Sequence, residues 1–307
     1  MPIERHGLSF PDDYDDLSIE LNCFLYGTKV ENGGLGKAGH FKEVARILWG
    51  DRHKEYTGKR VLKEFVWHPW AEVMLENSCK HENLGVIGAA SVGKTDFYAI
   101  WAIINWLCHP KKTKVLVTST SLKESRKRIW GSIREYYMAA TAHIQFEGKI
   151  VDSLGQIKFV GSTDDISSDK CGIELIPGEK KKEKEAIGKL IGIKAKRLFM
   201  ICDELPELSE ALVNAFYSNL SLNTESGAEC QIIGIGNFNS MFDPLGMFVK
   251  PKKGYNSISQ ADDEWETENG YCIRFDALKS PNIILGEDIW PIFGNKQLEK
   301  FIARYGE

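Results

Sequence analysis

The most chemically specific stretch of this 307-residue sequence is Gly88-Ala89-Ala90-Ser91-Val92-Gly93-Lys94-Thr95, which reads G-x-x-x-x-G-K-[ST]. That pattern belongs to loops that cradle phosphate. Its glycines let the backbone curl so that successive N–H groups point inward, and a helix starting at the loop's end adds partial positive charge. Lys94 is spaced to reach the β- and γ-phosphates of a nucleotide, and the Thr95 hydroxyl to bind Mg²⁺. A second group is Leu198-Phe199-Met200-Ile201-Cys202-Asp203-Glu204, five apolar residues followed by two acids. Alone, such a run is as readily a buried strand ending in a solvated or helix-capping acid. Paired with the loop, Asp203 is expected to hold Mg²⁺ through water and Glu204 to polarise an attacking water as general base. A glutamate in that place favours ATP hydrolysis over transfer to a small molecule. Third, Gly236-Asn237-Phe238-Asn239-Ser240 follows the apolar run 231–235 and sets the amide of Asn237 at a strand end. There it can bond a γ-phosphate or the attacking water, or sit in a turn.

These groups need a scaffold that brings strand ends together. Short apolar runs at 84–87, 114–118, 198–202 and 231–235 are bounded by glycine or polar residues. The last two lack both charge and alternation, as expected of strands buried on both faces of a parallel sheet. Helical spacing fills the intervals: 96–106 is apolar nearly all round, and stripes run through 121–138 and 208–220. Strand and helix in alternation predict an α/β fold with a wound, mostly parallel central sheet, carrying an inserted hairpin near 144–161. His68-Pro69-Trp70 marks a helix start, and Trp67, His68 and Trp70 read as core packing ahead of adenine stacking. Three regions are expected: a lead-in with one helix over 1–60, the main α/β domain over 61–280, and a linker with a small helix, capped by Asn295, over 281–307. The charged run 179–185 reads as a solvated loop.

Composition narrows the classes. With 43% hydrophobic and 27% charged residues the chain is globular rather than disordered or fibrous. A net charge of −4 gives no overall basic footprint, so nucleic acid must be met by a local patch. The longest apolar run, 97–108, is interrupted by Asn105 and too short to span a bilayer, and the acidic start is unlike a signal peptide. A soluble, unexported protein without membrane contact is expected. Seven scattered cysteines with no C-x-x-C pair suggest reduced thiols rather than a disulfide framework or a zinc site, and no metal cage is expected.

Taken together, these residues resemble the ATPase domain of the large terminase subunit of tailed phages and prophages, the motor that pumps DNA into capsids. The resemblance runs from about residue 65 onward. It rests on the 88–95 loop (Walker A), on Gly188-Lys189-Leu190-Ile191-Gly192-Ile193-Lys194-Ala195-Lys196-Arg197 leading into Asp203-Glu204 (Walker B), and on Gly236-Asn237-Phe238-Asn239-Ser240 followed by Asp243-Pro244-Leu245-Gly246. It implies a P-loop NTPase of the additional-strand, catalytic-glutamate type, ATP and Mg²⁺ as ligands, and double-stranded DNA as the translocated substrate. It also implies a portal protein and a small terminase subunit as partners, a homo-oligomeric ring on the portal with a monomer in isolation, and the bacterial host's cytoplasm as location. Some terminases carry an arginine finger within the loop; here Ala90 stands in that place, so the finger is expected from elsewhere, in trans, with Arg197, Arg126 and Arg128 as candidates. The family's adenine-contacting glutamine is not evident beside Trp70. The family's nuclease domain has no room after residue 280, and that activity is expected on sequence beyond this chain. Two other readings stay open: another nucleic-acid translocase or helicase, and a nucleotide-binding switch or scaffold with little turnover.

Overall fold

The structure, a computed structural model, describes residues 2–119, 128–146, 148–159, 171–178, 183–190, 193–225, 227–237 and 239–305. A hairpin of β1 (Ile3–Arg5) and β2 (Leu8–Phe10) precedes the helices α1 (Asp16–Tyr26), α2 (Gly36–Trp49), α3 (His53–Thr57) and α4 (Pro69–Lys80). The main domain continues through β3 (Asn83–Gly88), α5 (Lys94–Cys108), β4 (Thr113–Ser119), α6 (Ile129–Thr141), β5 (Gly148–Val151), β6 (Gln156–Phe159), β7 (Gly172–Pro177) and α7 (Glu183–Leu190). It closes with β8 (Arg197–Cys202), α8 (Glu210–Glu225), β9 (Glu229–Gly236), α9 (Pro244–Phe248), β10 (Glu264–Glu266), β11 (Tyr271–Phe275), α10 (Pro281–Leu285) and α11 (Asn295–Tyr305).

Among the described residues the main sheet has nine strands in the order β10-β11-β3-β9-β8-β4-β7-β6-β5. The run from β11 to β7 is parallel throughout, and the antiparallel pairs lie at the two edges. The crossover from β3 through α5 to β4 leaves a gap that β9 and β8 fill. This insertion matters most for the site, because it sets the ends of β8 and β9 beside the end of β3. Register fixes the alignment: Ile87 pairs with Gly236, and Cys202 with Gly234. Every residue of β8 is buried, as befits a parallel strand covered on both faces.

One face of the sheet is covered by α2, α4, α5 and α6, and the other by α8 with Leu245, Val249 and Trp265. Eleven consecutive residues of α5, from Phe97 to Leu107, are buried, which is what a helix apolar on all sides requires. The region before residue 60 differs from expectation. It holds three helices and a hairpin rather than one helix, and Phe24 packs edge-on and Phe41 tilted against Trp101 of α5, so it shares the main core. Tight contact between aromatic side chains separated by some 60–80 positions in sequence leaves no periodic signal to read. The hairpin predicted near 144–161 forms β5 and β6, but it extends the sheet's edge beside β7 instead of entering its middle. Part of the charged run predicted as a loop forms the start of α7; residues 179–182 lie outside the described residues. The cap of α11 is Asp288, whose carboxylate accepts the N–H groups of Asn295 (2.7 Å) and Lys296 (3.3 Å), and not Asn295 itself. No described helix is long and apolar enough to cross a membrane, and all seven cysteines are free thiols.

Candidate functional site

The loop joining β3 to α5 is held from three sides. On β9's side, the Asn237 Oδ1 accepts the N–H of Gly88 at 3.0 Å. Below it, His68 caps α4 by accepting the Ala71 N–H at 3.2 Å and packs against Gly93, where a Cβ would fall 2.7 Å from the ring's Nε2. Gly93 also has φ +86°, so glycine is required there both by space and by backbone conformation. Burial pushes the pKa of His68 down to about 4, which keeps its ring neutral. From the C-terminal side, the Phe293 N–H donates to the Ser91 carbonyl at 2.6 Å, and Ser91 itself has φ +64°. The segment 286–294 is in turn held by Asn282, whose side chain bonds the backbone of Ile289, Trp290 and Ile292.

Within this frame the Lys94 ammonium donates to the carbonyls of Gly88 and of Ala89, the latter at 2.9 Å. Burial pushes its pKa down to about 8 against the opposing pull of Asp203 and Glu204. Asp203 follows directly on β8; its N–H donates to Thr118 O on β4 at 2.8 Å, and its side chain is only 5% exposed. Burial, and after it the charge of Glu204, pushes its pKa up to about 6. Its buried Oδ2 has no hydrogen-bond partner, nor has the nearby Thr118 Oγ1. Glu204 adopts left-handed angles, φ 54° and ψ 46°, a conformation costing a non-glycine residue about 1 kcal/mol. Its Oε1 meets the Arg128 Nη1 at 2.5 Å.

The 88–95 loop, Arg128, Asp203, Glu204 and Asn237 line one open cleft of about 410 Å³, together with Asp96, Gly236 and Pro291. Such a volume suits a small-molecule ligand. The donor set also suits a hard cation: a carboxylate with an orphaned buried oxygen lines the same cleft as Thr95, where Mg²⁺ would keep most of its waters. Thus the structure brings together the whole 88–95 loop, Asp203, Glu204 and Asn237. It does not bring Arg197 there. That residue begins β8, roughly 20 Å of extended chain before Asp203, and its guanidinium is consumed by the Asn105 carbonyl (2.6 Å) and side chain (3.1 Å), Thr113 Oγ1 (3.1 Å) and Glu229 (2.7 Å). The assignment of Arg197 as a catalytic arginine is therefore corrected: it is an internal strut. Arg126 lies outside the described residues. Trp67 and Trp70 pack on Phe65 and Phe275 and do not line the cleft. Sequence reasoning missed Thr118, His68 beneath Gly93, and the 286–294 segment. Only Thr118 had a signal, since it ends a strand on the edge where ligands bind in wound sheets.

A mostly parallel wound sheet, with helices on both faces and a glycine-rich strand-to-helix loop at its C-terminal edge, defines the class of α/β domain. Within that class the chain has the fold of the phage large terminase ATPase domain. It superposes on the Thermus phage P74-26 large terminase ATPase domain, in a mutant form, with a TM-score of 0.52 at 12% identity, over 83% of this chain and 91% of that one. More distant are the HK97 bacteriophage large terminase (TM-score 0.42, 14% identity, 61% of this chain and 36% of that one) and the Phi-28 gp11 DNA packaging motor (0.39, 15%, 72% and 64%). The chain thus spans nearly all of the first structure but little more than a third of the HK97 protein. No family model matches the chain, and no curated protein matches it in sequence.

Proposed function

We propose that this chain is the ATPase motor domain of a viral terminase large subunit, hydrolysing ATP to drive double-stranded DNA into a procapsid. The observation that carries the reading is the convergence of Lys94, Asp203 and Glu204 on one cleft at the ends of β3 and β8. On this reading the N–H groups of the 88–95 loop and the N-terminus of α5 bind the β- and γ-phosphates. Lys94 exchanges its loop carbonyls for phosphate oxygens, which restores the charge compensation that burial has weakened. Asp203 and Thr95 would hold Mg²⁺, which neutralises charge on the phosphates. Glu204 orients and deprotonates the attacking water, and Asn237 steadies the loop through Gly88. A portal protein, a small terminase subunit and a ring of like subunits belong to the same reading.

One observation favours a second reading, a nucleotide-binding switch with little turnover: Glu204 is engaged by Arg128. Phosphate release from MgATP decides between the two. The purified chain is expected to hydrolyse ATP, with stimulation by double-stranded DNA that falls as salt rises, because phosphate contacts release counterions. Lys94→Ala is expected to lose nucleotide binding and turnover together. Binding without measurable release, with or without DNA, supports the switch; failure to bind any nucleotide sinks both.

A further inference from the structure

Three residues that the proposed chemistry does not use come together at the foot of the N-terminal hairpin. His6 occupies the β1–β2 turn at φ 55°, Glu20 lies within α1, and His40 lies in the first half of α2. Glu20 and His40 are fully buried. His6 Nε2 is 2.8 Å from Glu20 Oε1, His40 Nδ1 is 2.6 Å from Glu20 Oε2, and the ligating atoms all lie within 4.8 Å of one another. We infer that His6, Glu20 and His40 form a binding site for a divalent first-row transition metal, with Zn²⁺ the ion of fitting chemistry, which fastens the hairpin to α1 and α2.

Two imidazole nitrogens and one carboxylate oxygen are the borderline donors that Zn²⁺ prefers, and they are poor for Mg²⁺ or Ca²⁺, which select oxygen. The His40 ring is held in place from its other side, where its Nε2 meets the Thr28 Oγ1 at 2.5 Å and accepts the Leu35 N–H at 3.3 Å, leaving Nδ1 turned toward Glu20. The His6 side chain is 12% exposed, leaving an edge through which water completes the coordination. Charge points the same way. Glu20 is a fully buried carboxylate whose two oxygens each face an imidazole nitrogen. The nearest guanidinium, Arg5, stands 3.7 Å from Glu20 and is itself bonded to Asp16 at 2.6 Å. Arg52, the next cation, is taken by Glu43 at 2.7 Å and Asp16 at 3.1 Å. A cation between the three side chains neutralises what these arginines leave over. It also supplies what the hairpin lacks, because strands of three residues with only Phe10 buried cannot hold themselves in place.

The test is a Co²⁺ titration of the untagged full chain in excess Mg²⁺, followed by visible d–d absorption. The wild type is expected to take one equivalent with a band that Zn²⁺ bleaches, and to lose melting temperature on treatment with EDTA. Thr28→Val should weaken the site about 10–100-fold, and His6→Ala, on a partly exposed turn, should abolish the band and the EDTA effect while the circular dichroism stays native. Asp203→Asn should keep the band, which separates this site from the cleft. Absence of a stoichiometric band, an unchanged band in His6→Ala, or a melting temperature that follows pH but ignores EDTA and Zn²⁺ would overturn the inference; the last result identifies a purely hydrogen-bonded network.

Discussion

The strand β8 carries a buried charge at each end, and the two are treated in opposite ways. Arg197 at its start and Asp203 just past its finish are each 5% exposed. Around Arg197, β4 and β9 deliver Thr113 and Glu229 in register, α5 adds Asn105, and the guanidinium makes four hydrogen bonds. Around Asp203 one carboxylate oxygen is left with no partner, the pKa rises to about 6, and the next residue stands in a left-handed conformation. A compensated charge holds the sheet together; an uncompensated one lowers stability and marks a functional-site candidate.

The sharpest blow to this comparison is Glu204→Gln. It should leave nucleotide binding intact and lower turnover by about 1,000-fold or more, read as phosphate release alongside nucleotide affinity; normal hydrolysis by this variant refutes the base assignment. Next, Arg197→Ala should cost about 3 kcal/mol of stability, because it strands Asn105 and Glu229. Denaturant midpoints measure this, and turnover per folded molecule should not change. The reverse pattern, full stability with lost turnover, would restore Arg197 as a finger. Asp203→Asn should do the opposite to stability, raising it by about 1–3 kcal/mol at neutral pH in the absence of Mg²⁺. The sign follows from linkage: the folded carboxyl keeps its proton up to about pH 6 while the unfolded one loses it near 3.8, so stability falls as pH rises through that window and the substitution removes the loss. Smallest in size, kcat/KM for MgATP should be bell-shaped, falling about tenfold per pH unit below about 6 as Asp203 protonates and again above about 8 as Lys94 loses its proton. A flat profile across either limb breaks the link between burial and function at that residue.

The satisfied and unsatisfied ends were not equally legible. The strands β3, β8 and β9 are written largely as apolar runs, and β4 holds one at its centre, because parallel strands buried on both faces tolerate little else. The loop and the two acids are likewise local in sequence. By contrast β7 alternates, with Glu174 turned toward Lys114 at 2.5 Å, and β11 carries Arg274, so both read as ordinary polar chain. Arg197 looked close to the site because it is six positions from Asp203, but an extended strand spends those positions on distance. Asn105, which appeared only to interrupt an apolar run, is the group that receives Arg197. His68 and Phe293 reach the loop from elements outside it, and such contacts leave no trace in spacing, whereas Arg128, named among the candidate arginines, does stand on Glu204.

The bond from Phe293 to the carbonyl of Ser91 has a practical corollary for anyone trimming this protein. A deletion series from the C-terminus should tolerate loss of the last helix, then fail abruptly once the cut passes residue 293, because the glycine-rich turn would lose a brace that neither adjoining element supplies.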